Sequence, residues 1–196
     1  MKNVIAIAIL FTLWSAMPTF ADDFDTCRLN SRPEPALAAC TRVIEHKQLK
    51  PADLARAYYH RGTKLLKLGG ENLDLAVADF TEAIQLRPDY GAAYFNRGTA
   101  YLSREDYDRA IADIDKAIEI EPPDNFSYYQ NQGLAYSRKG DYDRAIADYN
   151  KAIEASLWED PFILLNRAAA YKRNGDIERA NADCRRAHEL NPTLNC

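Results

Sequence analysis

The sequence predicts an all-α solenoid of antiparallel helix pairs, and three observations lead there. Four stretches superpose at a period of about 35 residues. Small residues dominate their shared columns: Gly62, Gly98, Gly133 and Ala168 in one, Ala76, Ala110, Ala145 and Ala180 in a second, Ala83, Ala117, Ala152 and Ala187 in a third. Within each stretch the apolar residues recur three or four apart, the spacing of one helical face. So short a unit cannot bury its apolar stripe alone, and its copies must stack.

Residues 1–21 stand outside the repeat. Lys2 supplies a positive start, Val4 to Trp14 is an uncharged apolar run, and Thr19 and Ala21 are small residues where a signal peptidase reads. This is the three-part secretory leader, with cleavage expected after Ala21. An uncleaved anchor is the alternative, since Val4 to Ala21 carries no charge. A span needs roughly 20 mostly apolar residues, and Met17-Pro18-Thr19 spoils the end of the run. The expected location is periplasmic or secreted. Without the leader the chain has 24 basic and 29 acidic residues, a formal charge of −5. That balance argues against nucleic acid as a partner. After cleavage no stable membrane span is expected.

The four cysteines, Cys27, Cys40, Cys184 and Cys196, all follow the leader. An even number in an exported chain favours disulfides over metal or catalysis. No Cys-x-x-Cys occurs and the histidines are scattered, so neither a metal nor a cofactor is indicated.

Tyr94 to Pro122 illustrates one unit. Tyr94, Arg97-Gly98 and Tyr101 make one helical face, and Glu105, Asp106 and Asp108 suit the N-terminus of a second helix. Ala110, Ile111, Ile114, Ala117 and Ile118 form its stripe, and Pro122 ends it. Gly98 and Ala110 let the two helices approach, while Tyr101 and Ile114 fill the flare. Tyr58/Gly62/Leu65/Ala76/Phe80/Ala83/Pro88 and Leu164/Ala168/Tyr171/Ala180/Cys184/Ala187/Pro192 repeat the pattern, and the phrase at 106–113 recurs at 141–148. This resembles the tetratricopeptide repeat over residues from about 53 to 192. The resemblance implies a right-handed superhelix of about four units plus an N-terminal partial one, divided as leader 1–21, partial unit 22–50 and solenoid 51–196. Gly69-Gly70, Pro122-Pro123 and Ser156 to Asp160 depart from the pattern and should alter the local pitch only.

In the partial unit Cys27 falls in the column of Leu65, Tyr101, Tyr136 and Tyr171. Cys27 and Cys40 are 13 apart, as are Tyr101–Ile114, Tyr136–Tyr149 and Tyr171–Cys184. A Cys27–Cys40 disulfide would replace that helix–helix contact, contributing about 3 kcal/mol by closing the loop. At the far end Asn181 and His188 interrupt columns of Val and Ile, as a terminal unit with a polar outer face requires. Cys184 and Cys196 are left for each other, with a free or intermolecular Cys196 as the alternative.

The resemblance also implies a concave groove lined by the first helix of each pair, where a protein or peptide segment lies. By spacing its columns read Tyr59, Phe95, Gln130, Leu165; His60, Asn96, Asn131, Asn166; and Thr63, Thr99, Leu134, Ala169. Across the four first helices (51–68, 90–104, 126–139, 161–173) the only acid is Asp53. They hold eleven basic residues: Arg56, Arg61, Lys64, Lys67, Arg97, Arg104, Arg138, Lys139, Arg167, Lys172 and Arg173. Such a face suggests an acidic or carboxylate-bearing peptide, with Arg138 and Arg173 as its readers. Complementing the helix dipoles would produce the same segregation, with Arg97 and Arg167 simply pairing with Asp113 and Asp183. The carboxylate clamp of chaperone-adaptor relatives is not matched: Tyr59, Thr63, Ser127 and Asn131 replace its residues and Asn96 alone agrees.

No nucleophile elbow, phosphate loop or His-Glu-x-x-His occurs, so the expectation is a non-catalytic adaptor or scaffold. The alternative is a self-associating structural component of a cell-envelope complex.

Overall fold

Ten α-helices follow one another as five hairpins in the computed structural model, which describes residues 19–46, 49–121, 126–156 and 159–195. The first hairpin pairs α1 (Phe20–Leu29) with α2 (Pro33–Ile44). Four fuller ones follow: α3 (Pro51–Leu68) with α4 (Asn72–Leu86), α5 (Gly91–Ser103) with α6 (Tyr107–Ile120), α7 (Ser127–Lys139) with α8 (Tyr142–Ala155), and α9 (Pro161–Arg173) with α10 (Ile177–Leu190). Each helix packs chiefly on its neighbours in the chain. The result is an all-α solenoid of helix pairs, with a core distributed along its length.

The small columns are explained by contact. A Cβ on Gly98 would lie 2.9 Å from Ile114 Cγ1 and 3.1 Å from the Ala110 carbonyl. On Gly133 it would lie 3.0 Å from the Tyr149 ring and 3.1 Å from the Ala145 carbonyl. Each paired helix thus presses its backbone against a side chain of the other. Ile114 touches this glycine directly, so it closes the waist of the hairpin as well as its flare. Ala76, Ala110, Ala145, Ala83, Ala117, Ala152 and Ala187 are fully buried.

The phrase shared by 106–113 and 141–148 builds the turn and the start of the second helix. Asp106, Asp141 and Asp176 each accept the backbone N–H three residues on, from Arg109, Arg144 and Arg179. The same arginines return to the capping carboxylates and lie over Tyr101, Tyr136 and Tyr171, 4.6, 4.4 and 4.6 Å from the ring centres. The turn before them needs a left-handed residue, supplied by Glu105, Gly140 and Gly175.

A polar ladder ties one unit to the next. Arg61, Arg97 and Arg167 each fork onto a buried carboxylate of their own hairpin, Asp79, Asp113 and Asp183, at 2.7–2.8 Å. Their remaining nitrogens donate backwards to Thr41, Thr81 and Asn150 in the preceding unit. Along one edge Arg104, Lys139 and Asn174 similarly reach back to Asp74, Asp108 and Asp143.

At the start, Thr19 and Asp22 form a reciprocal cap, so α1 runs through the expected cleavage point after Ala21. Residues 1–18 of the expected leader lie outside the described residues. Cys27 and Cys40 are joined by a disulfide with Cα atoms 4.7 Å apart, and both are buried. Cys184 is not a free thiol either. Cys196, its expected partner, lies outside the described residues, as do Pro122-Pro123 and residues 157–158 of the irregular Ser156 to Asp160 segment. At the other end Asn181 and His188 are exposed, and the His188 Nδ1 meets the Leu194 carbonyl at 3.1 Å, bringing the tail back against α10.

Candidate protein-binding groove

Successive first helices α1, α3, α5, α7 and α9 touch one another, whereas no second helix reaches the next second helix among the described residues. The first helices therefore form the inner wall of the curve. Tyr59, Thr63, Phe95, Asn96, Thr99, Gln130, Asn131, Leu134, Leu165 and Asn166 are all half-buried on it, and Arg138 and Arg173 are exposed at its C-terminal edge.

The wall has two halves of different chemistry. Toward α3 and α5 it is aromatic. Tyr59 lies 4.9 Å from Tyr90 and 5.4 Å from His60, and Phe95 stacks on Tyr128 with ring centres 4.3 Å apart. Burial pushes the Tyr59 hydroxyl up and the Tyr90 hydroxyl to about 12. Burial, reinforced by Lys64, Arg28 and Arg56, lowers His60 to about 4, so it is neutral at neutral pH. Here the amides are partly committed to the fold. The Asn96 amide donates to the Tyr59 hydroxyl at 3.3 Å and that of Asn131 to Thr99 Oγ1 at 3.1 Å. Thr63 and Thr99 donate in turn to the carbonyls of Tyr59 and Phe95. These contacts stitch neighbouring first helices and preorganise the wall.

Toward α7 and α9 the wall opens into a pocket of about 330 Å³ that includes Leu134, Ser137, Arg138, Tyr149, Asn166 and Arg173. Arg138 also borders an adjoining pocket of about 370 Å³ that contains Thr99, Asn131 and Glu105. Leu165 faces a third, beside Lys172 and Cys184. Gln130 joins none of these three.

The structure sorts the eleven basic residues. Arg56, Arg61, Arg97, Arg104, Lys139 and Arg167 pair with carboxylates, and Lys64 donates to the Asn30 carbonyl. Dipole and ladder contacts thus absorb most of the charge, including Arg97 and Arg167 on Asp113 and Asp183. Arg138 and Arg173 make no ion pair among the described residues, and they share one pocket. Sequence reasoning read Tyr149 as core, and its ring is fully buried there. Its hydroxyl, however, is the one buried side-chain polar atom without a partner among the described residues. Leaving such a group unpaired costs about 1–3 kcal/mol. Burial pushes this phenol far up, with the Arg138 charge opposing. Its signal was present in the sequence: the column Phe80, Ile114, Tyr149, Cys184 contains a single hydroxyl.

A curved stack of helix hairpins with a groove on its first helices defines a repeat-type binding scaffold. The tetratricopeptide-repeat pattern matches residues 91–124, 126–157 and 163–194, half of the chain, which belongs to that family. Among curated proteins, the small glutamine-rich tetratricopeptide repeat-containing protein 2 of Saccharomyces cerevisiae is 36% identical over 55 residues, 28% of this chain and 16% of that protein. DnaJ homolog subfamily C member 7 of Homo sapiens is 37% identical over 67 residues, 34% of this chain and 13% of that protein. The chain thus spans less than a fifth of either relative. Among solved structures, MamA of Desulfovibrio magneticus RS-1 superposes with a TM-score of 0.77 at 21% identity, covering 90% of this chain and 96% of that one. MamA MSR-1 superposes at 0.74 and 21%, covering 89% and 95%. At this identity the likeness extends to the fold.

Proposed function

We propose that this chain is an exported, non-catalytic adaptor that holds a peptide or protein segment in its concave groove. One observation carries the reading: Tyr59, Phe95, Gln130 and Leu165 stand half-exposed in register on four successive inner helices. They offer an extended ligand one contact per unit. The leader at residues 1–21 and the Cys27–Cys40 disulfide support an oxidising compartment, periplasmic or extracellular. The test places a photo-crosslinking residue at Phe95, Leu134 or Leu165, and in parallel at Ala112 or Ala147, exposed on the second helices. Crosslinks to a common partner from the first set alone are expected. Crosslinks from Ala112 and Ala147 alone would move binding to the outer wall.

A second reading, self-association, is favoured by Ile177 and Leu190, which expose 52% and 39% of their surface on the last helix. Light scattering with and without reductant separates the two: the adaptor reading expects a monomer.

A further inference from the structure

We infer that the pocket between α7 and α9 binds one carboxylate of the partner. Arg138 and Arg173 supply the charge, and the Tyr149 hydroxyl, Ser137 and Asn166 supply orienting hydrogen bonds. The inference rests on the groove reading and names the chemistry that one part of the groove selects.

Four observations converge on it. First, this pocket brings together two arginines that make no ion pair among the described residues, although most basic residues on the inner wall are tied to acids or carbonyls. Lys67 and Lys172, which also lack ion pairs, do not line it. Second, Tyr149 brings a buried, unpartnered hydroxyl to the same lining. The equivalent positions carry Phe80, Ile114 and Cys184, which fill the hairpin without one. A hydroxyl kept here, where a phenyl ring would pack as well, implies an acceptor that arrives from outside. Third, among the described residues the Asn166 side chain makes no hydrogen bond, unlike those of Asn96 and Asn131 in its own column, and neither does the Ser137 hydroxyl. The donors of this pocket stay unspent where those of the aromatic half are used. Fourth, Leu134 adds an apolar side chain to the lining, against which the methylenes of a ligand can rest.

The charge balance selects a monoanion. Glu105 lies in the adjoining pocket that Arg138 also borders, without forming an ion pair to it. Two guanidinium groups and one nearby carboxylate leave about one net positive charge for the ligand. A planar carboxylate satisfies that and takes hydrogen bonds from both arginines. It can come from an Asp or Glu side chain or from a chain terminus.

Amide NMR titration of the folded, oxidised chain with three N-acetylated pentapeptides provides the test. One carries a free C-terminal carboxylate and no acid, one is amidated with a central Glu, and one is amidated with a central Gln. Saturable shifts at Ser137, Arg138, Asn166 and Arg173 are expected with either or both acidic peptides and not with the Gln peptide. The stronger of the two names the source. Arg138→Gln with Arg173→Gln should weaken binding roughly tenfold or more, and Tyr149→Phe roughly three- to tenfold. Ala112→Ser, exposed on the second helix α6 and outside the groove, should leave both peptides unaffected. Equal shifts with the Gln peptide, or unchanged binding in the double arginine variant, would overturn the inference. So would stronger binding of inorganic phosphate alone, which would make this an unselective anion site. Groove crosslinks from Phe95 and Leu165 that survive in the arginine variant would leave the adaptor reading standing while the carboxylate site falls.

Discussion

The hairpin of α5 and α6 and the hairpin of α7 and α8 share an identical eight-residue phrase and each borders a pocket, yet among the described residues the second alone brings a buried, unpartnered hydroxyl to its pocket. In both, the phrase places the same parts: a capping Asp106 or Asp141, an Arg109 or Arg144 over a tyrosine ring, and a buried Asp113 or Asp148. What faces the phrase differs. Arg97 answers Asp113 with two hydrogen bonds at 2.7 and 2.8 Å. In the next hairpin Gln132 turns away to Asp115 at 2.6 Å, and among the described residues Asp148 keeps only Lys151 as a side-chain partner, at 3.0 Å. Burial accordingly raises the Asp148 carboxyl. At the next residue Ile114 becomes Tyr149 with its unpartnered hydroxyl, and near the end of the first helix Ser103 becomes the exposed Arg138. Repetition builds the scaffold here, and the departures from repetition mark where it has been put to another use.

The largest test of this contrast is to remove each ladder residue in turn. Arg97→Ala strands a buried Asp113 and should destabilise by about 3–5 kcal/mol. Gln132→Ala removes one neutral donor and should cost about 1 kcal/mol. Hydrogen exchange across a urea series reads the loss unit by unit, which suits an array whose stability is a sum over neighbours. Equal losses would mean that the ladder is not what distinguishes the hairpins. In the reverse direction, Gln132→Arg should restore the fork onto Asp148 and stabilise by about 1.5 kcal/mol. Next in size is Tyr149→Phe. If the hydroxyl is reserved for a ligand, the free protein should gain about 1 kcal/mol, seen as a higher denaturation midpoint, while it loses carboxylate binding. A variant that loses stability instead would show that the hydroxyl serves the fold, and the two hairpins would then differ only in their ladder.

How much of this was legible follows from what a column can encode. Gly98 and Gly133 announce a close approach because an added Cβ would press on Ile114 or Tyr149, and the 13-residue interval set Cys27 opposite Cys40 in the place of an aromatic contact. The solenoid and the span of its first helices were readable for the same reason: each rests on many agreeing positions. The groove residues were readable only as a face. Periodicity places Asn96, Asn131 and Asn166 together, but two of their amides are taken up by Tyr59 and Thr99 on the neighbouring inner helix, a contact between units that no single unit displays. Likewise the sequence counts eleven basic residues without saying which are bound. Sorting Arg138 and Arg173 from Arg97 and Arg167 needs the carboxylates of the facing helix in space.

The smallest test concerns the turn that ends α5. Glu105 holds the left-handed position, φ 61°, that Gly140 holds in the next hairpin at 85°. A side chain there is strained by about 1–2 kcal/mol, but glycine adds unfolded-chain entropy of roughly 0.5–1 kcal/mol. Glu105→Gly should therefore stabilise by only about 0.5 kcal/mol, a rise in melting temperature of about 1–2 °C. The same change removes the carboxylate from the pocket that adjoins Arg138, so affinity for an acidic peptide should increase roughly twofold. The two readouts answer separate questions. A gain in stability alone would show that the turns of the two hairpins are equivalent and that Glu105 is screened from the arginine. A fall in stability would mean that the strained glutamate is held by its surroundings, and that the identical phrase following it does not by itself determine the turn.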